Sequence, residues 1–382
     1  MRPSTFQTPS GSRPKGSIHA LLVLGLVLAA GACTAAPAPD QTPGSSQPSA
    51  APTSPPSASL VSSDSPRPPA ASPTPASSPP PAAPISPPSA SSEATFPLTI
   101  TDDEGTQTEL AEEPQRIVSL SPANTEIVFA LGAGARLVGG TDFDDYPPEA
   151  AAATDVVVQT SVLIEAIVDA EPDVILAAGN AFTPAADIGR LRGLGLPVVV
   201  VYAETLDEVL EDIELIGAVL GETGLATELT SEMQLRIDEV TSAAASVDER
   251  PRVFYQLGSE PEIYGPAPGS FVADMIELAG GEAITTDDPA AFSIPVERLV
   301  AEDPEVIVVG DAPFGVCPDQ VSARPAWRQM TAVEEGAVRP IDDTVVTRPG
   351  PRIAEGLATL AVAIHPDLRL AEPPPPVTLC ED

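Results

Sequence analysis

Ile164-Glu-Ala-Ile-Val-Asp-Ala-Glu-Pro172-Asp-Val-Ile-Leu176 returns, in kind, as Val296-Glu-Arg-Leu-Val-Ala-Glu-Asp-Pro304-Glu-Val-Ile-Val308. Glu165 and Glu297, Pro172 and Pro304, and Asp173 and Glu305 are each separated by 132 positions. In both copies an amphipathic helix runs into a proline, which lacks the N–H a helix needs and drives the preceding residue toward extended backbone. An unbroken apolar run follows, the pattern of a strand buried on both faces of a parallel sheet. One such junction is ordinary in an α/β protein. Two at a fixed offset predict two lobes of like design.

Working outward, Phe96-Pro-Leu-Thr-Ile-Thr, the acidic Asp102-Asp-Glu-Gly105 and Thr106 to Leu110 read as a β-hairpin. Arg116-Ile-Val-Ser-Leu-Ser121 reads as a short strand, followed by a helix through Ala130 and a strand from Leu137 to Gly140, a βαβ unit. Between the lobes, Leu225, Leu229, Met233, Ile237 and Val240 repeat at helical spacing. The expectation is an α/β fold of two Rossmann-like lobes, residues 96–204 and 249–370, joined by a long interlobe helix at 205–248, with a Pro-rich tail at 371–382.

The segment from Met1 to Cys33 differs in kind. Arg2, Arg13 and Lys15 precede an apolar run from Ile18 to Ala30 and then Ala-Gly-Ala-Cys33, the layout of a secretory signal. That run is shorter than the about 20 residues that span a bilayer. Cys33 resembles a lipobox cysteine, so acylation there is expected, although Ala30 stands where Leu is usual. Residues 34–95 are mostly Pro, Ser, Ala and Thr, too poor in apolar surface to fold, and read as a tether. An extracytoplasmic protein anchored to the cell membrane follows, and in that oxidising setting Cys317 and Cys380 form a candidate disulfide.

Of the net charge of −37, the segment through Cys33 carries +3 and the tether −2, which leaves −38 on the folded body. No lysine occurs beyond Lys15. Such a body repels nucleic acid.

Arg116-Ile-Val-Ser-Leu-Ser-Pro-Ala-Asn-Thr-Glu-Ile-Val-Phe-Ala-Leu-Gly-Ala-Gly134, with Leu137-Val-Gly-Gly-Thr-Asp-Phe-Asp-Asp-Tyr-Pro-Pro-Glu149, resembles the cobalamin-binding proteins of ABC importers, in the helical-backbone class that also carries ferric siderophores and haem. Gly269-Ser-Phe271, Glu277-Leu-Ala-Gly-Gly281, Arg324-Pro-Ala-Trp327 and Arg348-Pro-Gly-Pro-Arg-Ile353 extend the likeness over nearly all of 96–368. The resemblance implies a monomeric receptor with its ligand between the lobes and one glutamate per lobe, Glu165 and Glu297, docking on a permease dimer that works with ATPase subunits. It implies no cofactor of the protein's own; the transported ligand is expected to be cobalamin, or alternatively an iron chelate or haem. It further implies an aromatic pocket. Phe143, Tyr264 and Phe292 match its loops, Tyr146 and Phe182 lie close to first-lobe ones, and Arg348 is a candidate contact for anionic ligand groups. Arg352 reads equally as an ion-pair residue, and Trp327 as structural.

Direct binding of a transition metal is not expected. Such sites lean on imidazole, and the chain has two histidines, His19 in the signal and His365 near the end of the body. An enzyme is not expected either: no nucleophile elbow, phosphate loop or His-based triad occurs, and Gly132-Ala-Gly134 follows a helix rather than a strand. A sensor or adhesion lipoprotein that retains the fold is the alternative of another class.

Overall fold

A computed structural model describes residues 94–158, 160–179, 182–377 and 379–380. The expected signal, Cys33 and almost all of the tether lie outside the described residues. Within them no helix is long and apolar enough to cross a membrane.

Lobe 1 opens with β1 (Leu98–Thr101) and β2 (Gln107–Leu110), the expected antiparallel hairpin with Leu98 opposite Leu110. Then come β3 (Ile117–Ser119), α1 (Pro122–Ala130), β4 (Leu137–Thr141), β5 (Thr154–Val158), β6 (Ser161–Val162), α2 (Ile164–Asp169), β7 (Val174–Ala178), α3 (Ala185–Gly193) and β8 (Val198–Val201). The sheet order is β6-β5-β4-β3-β7-β8, parallel except for β6. Helices α4 (Leu206–Leu220) and α5 (Thr223–Ala245) lead to lobe 2. There β9 (Arg252–Gln256), α6 (Phe271–Leu278), β10 (Glu282–Ala283), α7 (Val296–Glu302), β11 (Val306–Val309), α8 (Pro318–Ser322), α9 (Thr331–Glu334) and β12 (Val338–Pro340) precede α10 (Asp343–Thr347) and α11 (Ile353–Ile364). Its sheet, β10-β9-β11-β12, is wholly parallel.

The repeated segment occupies the same place in both lobes: α2 feeds β7 beside β3, and α7 feeds β11 beside β9. The likeness extends to single atoms. Arg116, just before β3, donates from Nε to the carbonyls of Ala170 and Glu171 at the end of α2, while its own N–H donates to Asp173 at 2.9 Å. Arg252, opening β9, donates to the carbonyls of Glu302 and Asp303 at the end of α7, while its N–H donates to Glu305 at 3.0 Å. In each lobe the carbonyls that the proline leaves without helical partners are bound by an arginine from the neighbouring strand.

The connection between the lobes departs from the single helix expected at 205–248. Gly221 adopts φ +79°, a left-handed conformation that a residue with a side chain rarely takes, and it caps α4 two residues before α5 begins. The apolar periodicity from Leu225 to Val240 belongs to α5 alone. Helix α4 lies on α1 and β1 of lobe 1, and α5 lies on α4 and on α11 of lobe 2. One apolar core therefore runs through both lobes, from Ile127 and Val128 through Ile213 and Val240 to Leu357 and Ile364. The outer face of each sheet has its own core, around Ile167, Ile175 and Val200 in lobe 1 and around Phe254, Val309 and Trp327 in lobe 2. Because packed cores deform little, this shared seam restrains the lobes.

Two acidic contacts pin the hairpin turn to lobe 1. Asp102 accepts from Arg192 at 2.7 Å and from the Val200 N–H at 3.1 Å, and Asp103 accepts from the Tyr202 N–H at 2.7 Å. Asp212 of α4 is buried beneath this turn and hydrogen-bonded to Asp103. Burial first, and then repulsion from Asp103, push its carboxyl up to about 9. At the far end, the tail crosses α5, where Arg236 donates to the Glu372 carbonyl at 2.6 Å and Glu239 accepts from the Ala371 N–H at 2.6 Å. It finishes in a disulfide between Cys380 and Cys317, whose Cα atoms are 5.6 Å apart.

Candidate functional site

Loops that leave the C-terminal ends of parallel strands share one edge of the sheet, where α/β proteins gather their ligands. In this chain the two edges meet. Glu126, one turn into α1 after β3, and Asp145, in the loop after β4, bind Arg348 and Arg352, which follow β12 and α10. The ligand cleft that the resemblance implies would lie between those edges.

Glu126 is buried and accepts from Arg352 Nε at 2.8 Å, Arg352 Nη2 at 2.7 Å and Arg348 Nη1 at 3.2 Å. Asp145 takes a further 2.5 Å bond from Arg348. Desolvation pulls both guanidinium pKa values down, but the facing carboxylates outweigh it and hold them above the ordinary value. Burial likewise opposes the charge on Asp145; the hydrogen bond and charge of Arg348 prevail, and its carboxyl stays below the usual range. Arg348, expected to face a ligand, is thus occupied by two carboxylates, and Arg352 joins the same interlobe latch. Tyr146 packs beneath it, with the Arg352 guanidinium carbon 4.2 Å from the ring centre.

Phe143 is 52% exposed on the loop after β4. That loop is stiffened from below. Asp144 accepts from the Thr141 N–H at 2.9 Å, from the Thr141 hydroxyl at 2.7 Å and from the Thr125 hydroxyl at 2.8 Å. Burial raises its carboxyl pKa, while the threonine bonds oppose that. Gly140 makes the fit feasible, since a Cβ there would lie 2.4 Å from Asp144 Oδ2. In lobe 2 the structure brings Tyr264 and Phe292 together: Tyr264 bridges Gly258 on one side and Ser293 on the other, and the Gly265 N–H donates to the Phe292 carbonyl at 2.8 Å. Both side chains are half-buried.

Two exposed phenylalanines complete the edges. Phe182 lies just past β7, and Phe314, 82% exposed, just past β11. Phe314 escaped the sequence reading. Its signal was the same repeat, because Phe314 is also 132 positions from Phe182.

Glu165 and Glu297 are each the second residue of α2 and α7, are exposed, and form no ion pair among the described residues. Each helix runs back to the edge where its following parallel strand, β7 or β11, begins, so each glutamate sits at the opposite end of its helix from that strand. Among the described residues no group of three or more His, Cys, Asp or Glu side chains is arranged to hold a metal ion.

Residues 117–345 match the family model described as "Periplasmic binding protein". The chain is similar to the "Uncharacterized ABC transporter substrate-binding lipoprotein YvrC" of Bacillus subtilis, with 33% identity over 71% of this chain and 87% of that one. It is similar to the cobalamin-binding protein of Halobacterium salinarum at 33% identity, covering 71% and 75% of the two chains. The crystal structure of the periplasmic vitamin B12-binding protein BtuF of Vibrio cholerae matches with TM-score 0.59 and 27% identity, over 66% of this chain and 96% of that one. A haem-binding protein and a possible iron-binding protein are also among the solved structures it resembles.

Proposed function

Because this chain belongs to the periplasmic binding protein family, and is a substrate-binding protein of the cobalamin, siderophore and haem class rather than an enzyme, we propose that it captures a corrinoid outside the cell and delivers it to an ABC permease. What supports the ligand choice is the set of aromatic residues on loops at the C-terminal edges of the two sheets. Phe143 and Phe182 rise from lobe 1, and Tyr264, Phe292 and Phe314 from lobe 2. Aromatic faces bury much area on a large flat molecule and lose little side-chain entropy in doing so. The cobalamin-binding name of the Halobacterium relative supports the same choice.

In this reading the ligand sits between the edges and the latch of Glu126, Asp145, Arg348 and Arg352 closes one side of the cleft. Glu165 and Glu297 place one free carboxylate on each lobe, suited to orient the protein on a basic permease surface. Acylation at Cys33 holds the protein at the membrane, and the tether lets the body, acting as a monomer, reach the permease.

A haem reading has one specific observation in its favour: the Tyr264 hydroxyl has no hydrogen-bond partner among the described residues, and a phenolate is a known axial ligand. Calorimetric titration with cyanocobalamin, haem and a ferric hydroxamate separates the readings. Submicromolar binding of cyanocobalamin alone is expected. Tight binding of haem or the iron chelate without the corrinoid would replace the ligand and keep the transport class.

A further inference from the structure

The folded body carries fourteen arginines and no lysine. Ten of the arginines lie within salt-bridge reach of a carboxylate. Of the other four, Arg116, Arg328 and Arg339 donate to backbone carbonyls at helix and turn ends. Arg324 differs. Its Nη1 donates at 2.8 Å to the side-chain carbonyl of Gln256, the last residue of β9, and its guanidinium carbon lies 4.7 Å over the ring of buried Trp327.

The contact is built. Asp311, just past β11 and buried, accepts from Gln256 Nε2 at 2.5 Å and from the Ser259 hydroxyl at 2.9 Å. With both carboxylate oxygens engaged, Asp311 fixes the Gln256 amide so that its oxygen faces Arg324. Gln256 and Asp311 both stand at the C-terminal edge of the lobe 2 sheet, and Phe314 follows three residues on. Arg324 is therefore a half-buried cation held on two sides, with its other N–H groups unpartnered among the described residues. Desolvation, ahead of the attraction of Asp311 and Glu260, keeps its pKa below the usual arginine value, as for a charge still short of a counter-ion.

We infer that Arg324 is the seat for an anionic oxygen group, phosphate or carboxylate, carried by the cleft ligand. A guanidinium matches such groups with two parallel N–H bonds, and elsewhere in the cleft Arg348 and Arg352 are already neutralised. A body this acidic repels anions, so a dedicated cation favours their entry. The inference rests on the cleft reading above but not on the corrinoid.

Trp327 is the chain's one tryptophan, so its emission reports directly on the cation stacked over it. The full-length protein is titrated with inorganic phosphate and, separately, acetate, and then with cyanocobalamin and dicyanocobinamide, which lacks the phosphate. A saturable change in Trp327 emission with phosphate or acetate is expected, lost in Arg324→Gln and partly kept in Arg324→Lys. For the corrinoids, cyanocobalamin should bind about 10-fold more tightly than the cobinamide, a preference that Arg324→Gln abolishes. A tryptophan response with no corrinoid binding sustains the anion seat and sinks the corrinoid. Equal affinity for the two corrinoids together with an emission that responds to neither anion overturns the seat, and that comparison in the unmodified protein needs no variant to fold.

Discussion

Phe182 and Phe314 occupy the same position of the same turn in the two lobes. The Phe182 N–H donates to the carbonyl of Gly179, and the Phe314 N–H to that of Asp311, in each case a carbonyl one tight turn back along the chain. The duplicated architecture thus ends, in each lobe, in an exposed phenyl ring.

Phe182→Ala and Phe314→Ala are each expected to weaken cyanocobalamin binding about 10-fold, the loss of one aromatic face from the ligand. Because Phe314 is 82% exposed, its removal should leave unfolding unchanged within about 0.5 kcal/mol. Leu235→Ala, at an exposed site on α5 away from the cleft edges, serves as the control in the same calorimetric series. Unchanged affinity in both phenylalanine variants would remove these rings from the site.

Reversing both free carboxylates, Glu165→Arg with Glu297→Arg, is expected to stop uptake by cells that carry the partner importer, while the purified protein keeps its ligand affinity. Single reversals should fall between, since one lobe still docks. Uptake at the native rate in the double variant would refute the docking assignment.

The repeat made the two lobes legible because a proline between an amphipathic helix and an apolar run leaves few structural options. The break at Gly221 was not legible: Gly217, Gly221 and Gly224 are all tolerable in a helix, and only backbone geometry shows which one turns left-handed. The fate of Arg348 was hidden for a different reason. Its partners Glu126 and Asp145 lie 222 and 203 positions away, and no local pattern announces a contact at that separation. Phe143 and Tyr146 are named through the resemblance of their own loop, whereas Arg324 gains its meaning only from Gln256 and Asp311, brought to one edge by neighbouring parallel strands.

The latch predicts a stability effect. Glu126→Gln leaves two guanidinium groups facing a neutral amide, and each is only about a fifth exposed. Removing one partner of a buried pair costs about 3–5 kcal/mol, and the partial exposure here reduces that to about 2 kcal/mol. Urea unfolding should show the loss. Small-angle scattering of the folded variant should show a larger radius of gyration, because the contact crosses between lobes. Native stability and dimensions in Glu126→Gln would mean that the shared apolar core alone fixes the lobes.

Asp212 gives the protein a pH dependence opposite to that of ion-paired carboxylates. Its carboxyl is buried against Asp103, with Glu208 and Glu211 of its own helix adding to the repulsion, and is pushed up to about 9 from an ordinary 3.8. Between those values the folded chain keeps a proton that the unfolded chain has lost. Stability is then greatest below about pH 4 for this group and falls as pH rises toward 9, by at most about 1.4 kcal/mol per unit. Asp212→Asn retains a donor toward Asp103 and has no proton to lose. In urea unfolding the variant should match the native protein near pH 4 and be clearly the more stable of the two at pH 8. The gap should widen up to about pH 9 and then level. General repulsion among the many acidic groups acts on both proteins alike and cancels in the difference. A constant difference between pH 4 and pH 9 would mean that Asp212 is ionised in the fold, and the hairpin turn would then have to be held against two adjacent negative charges.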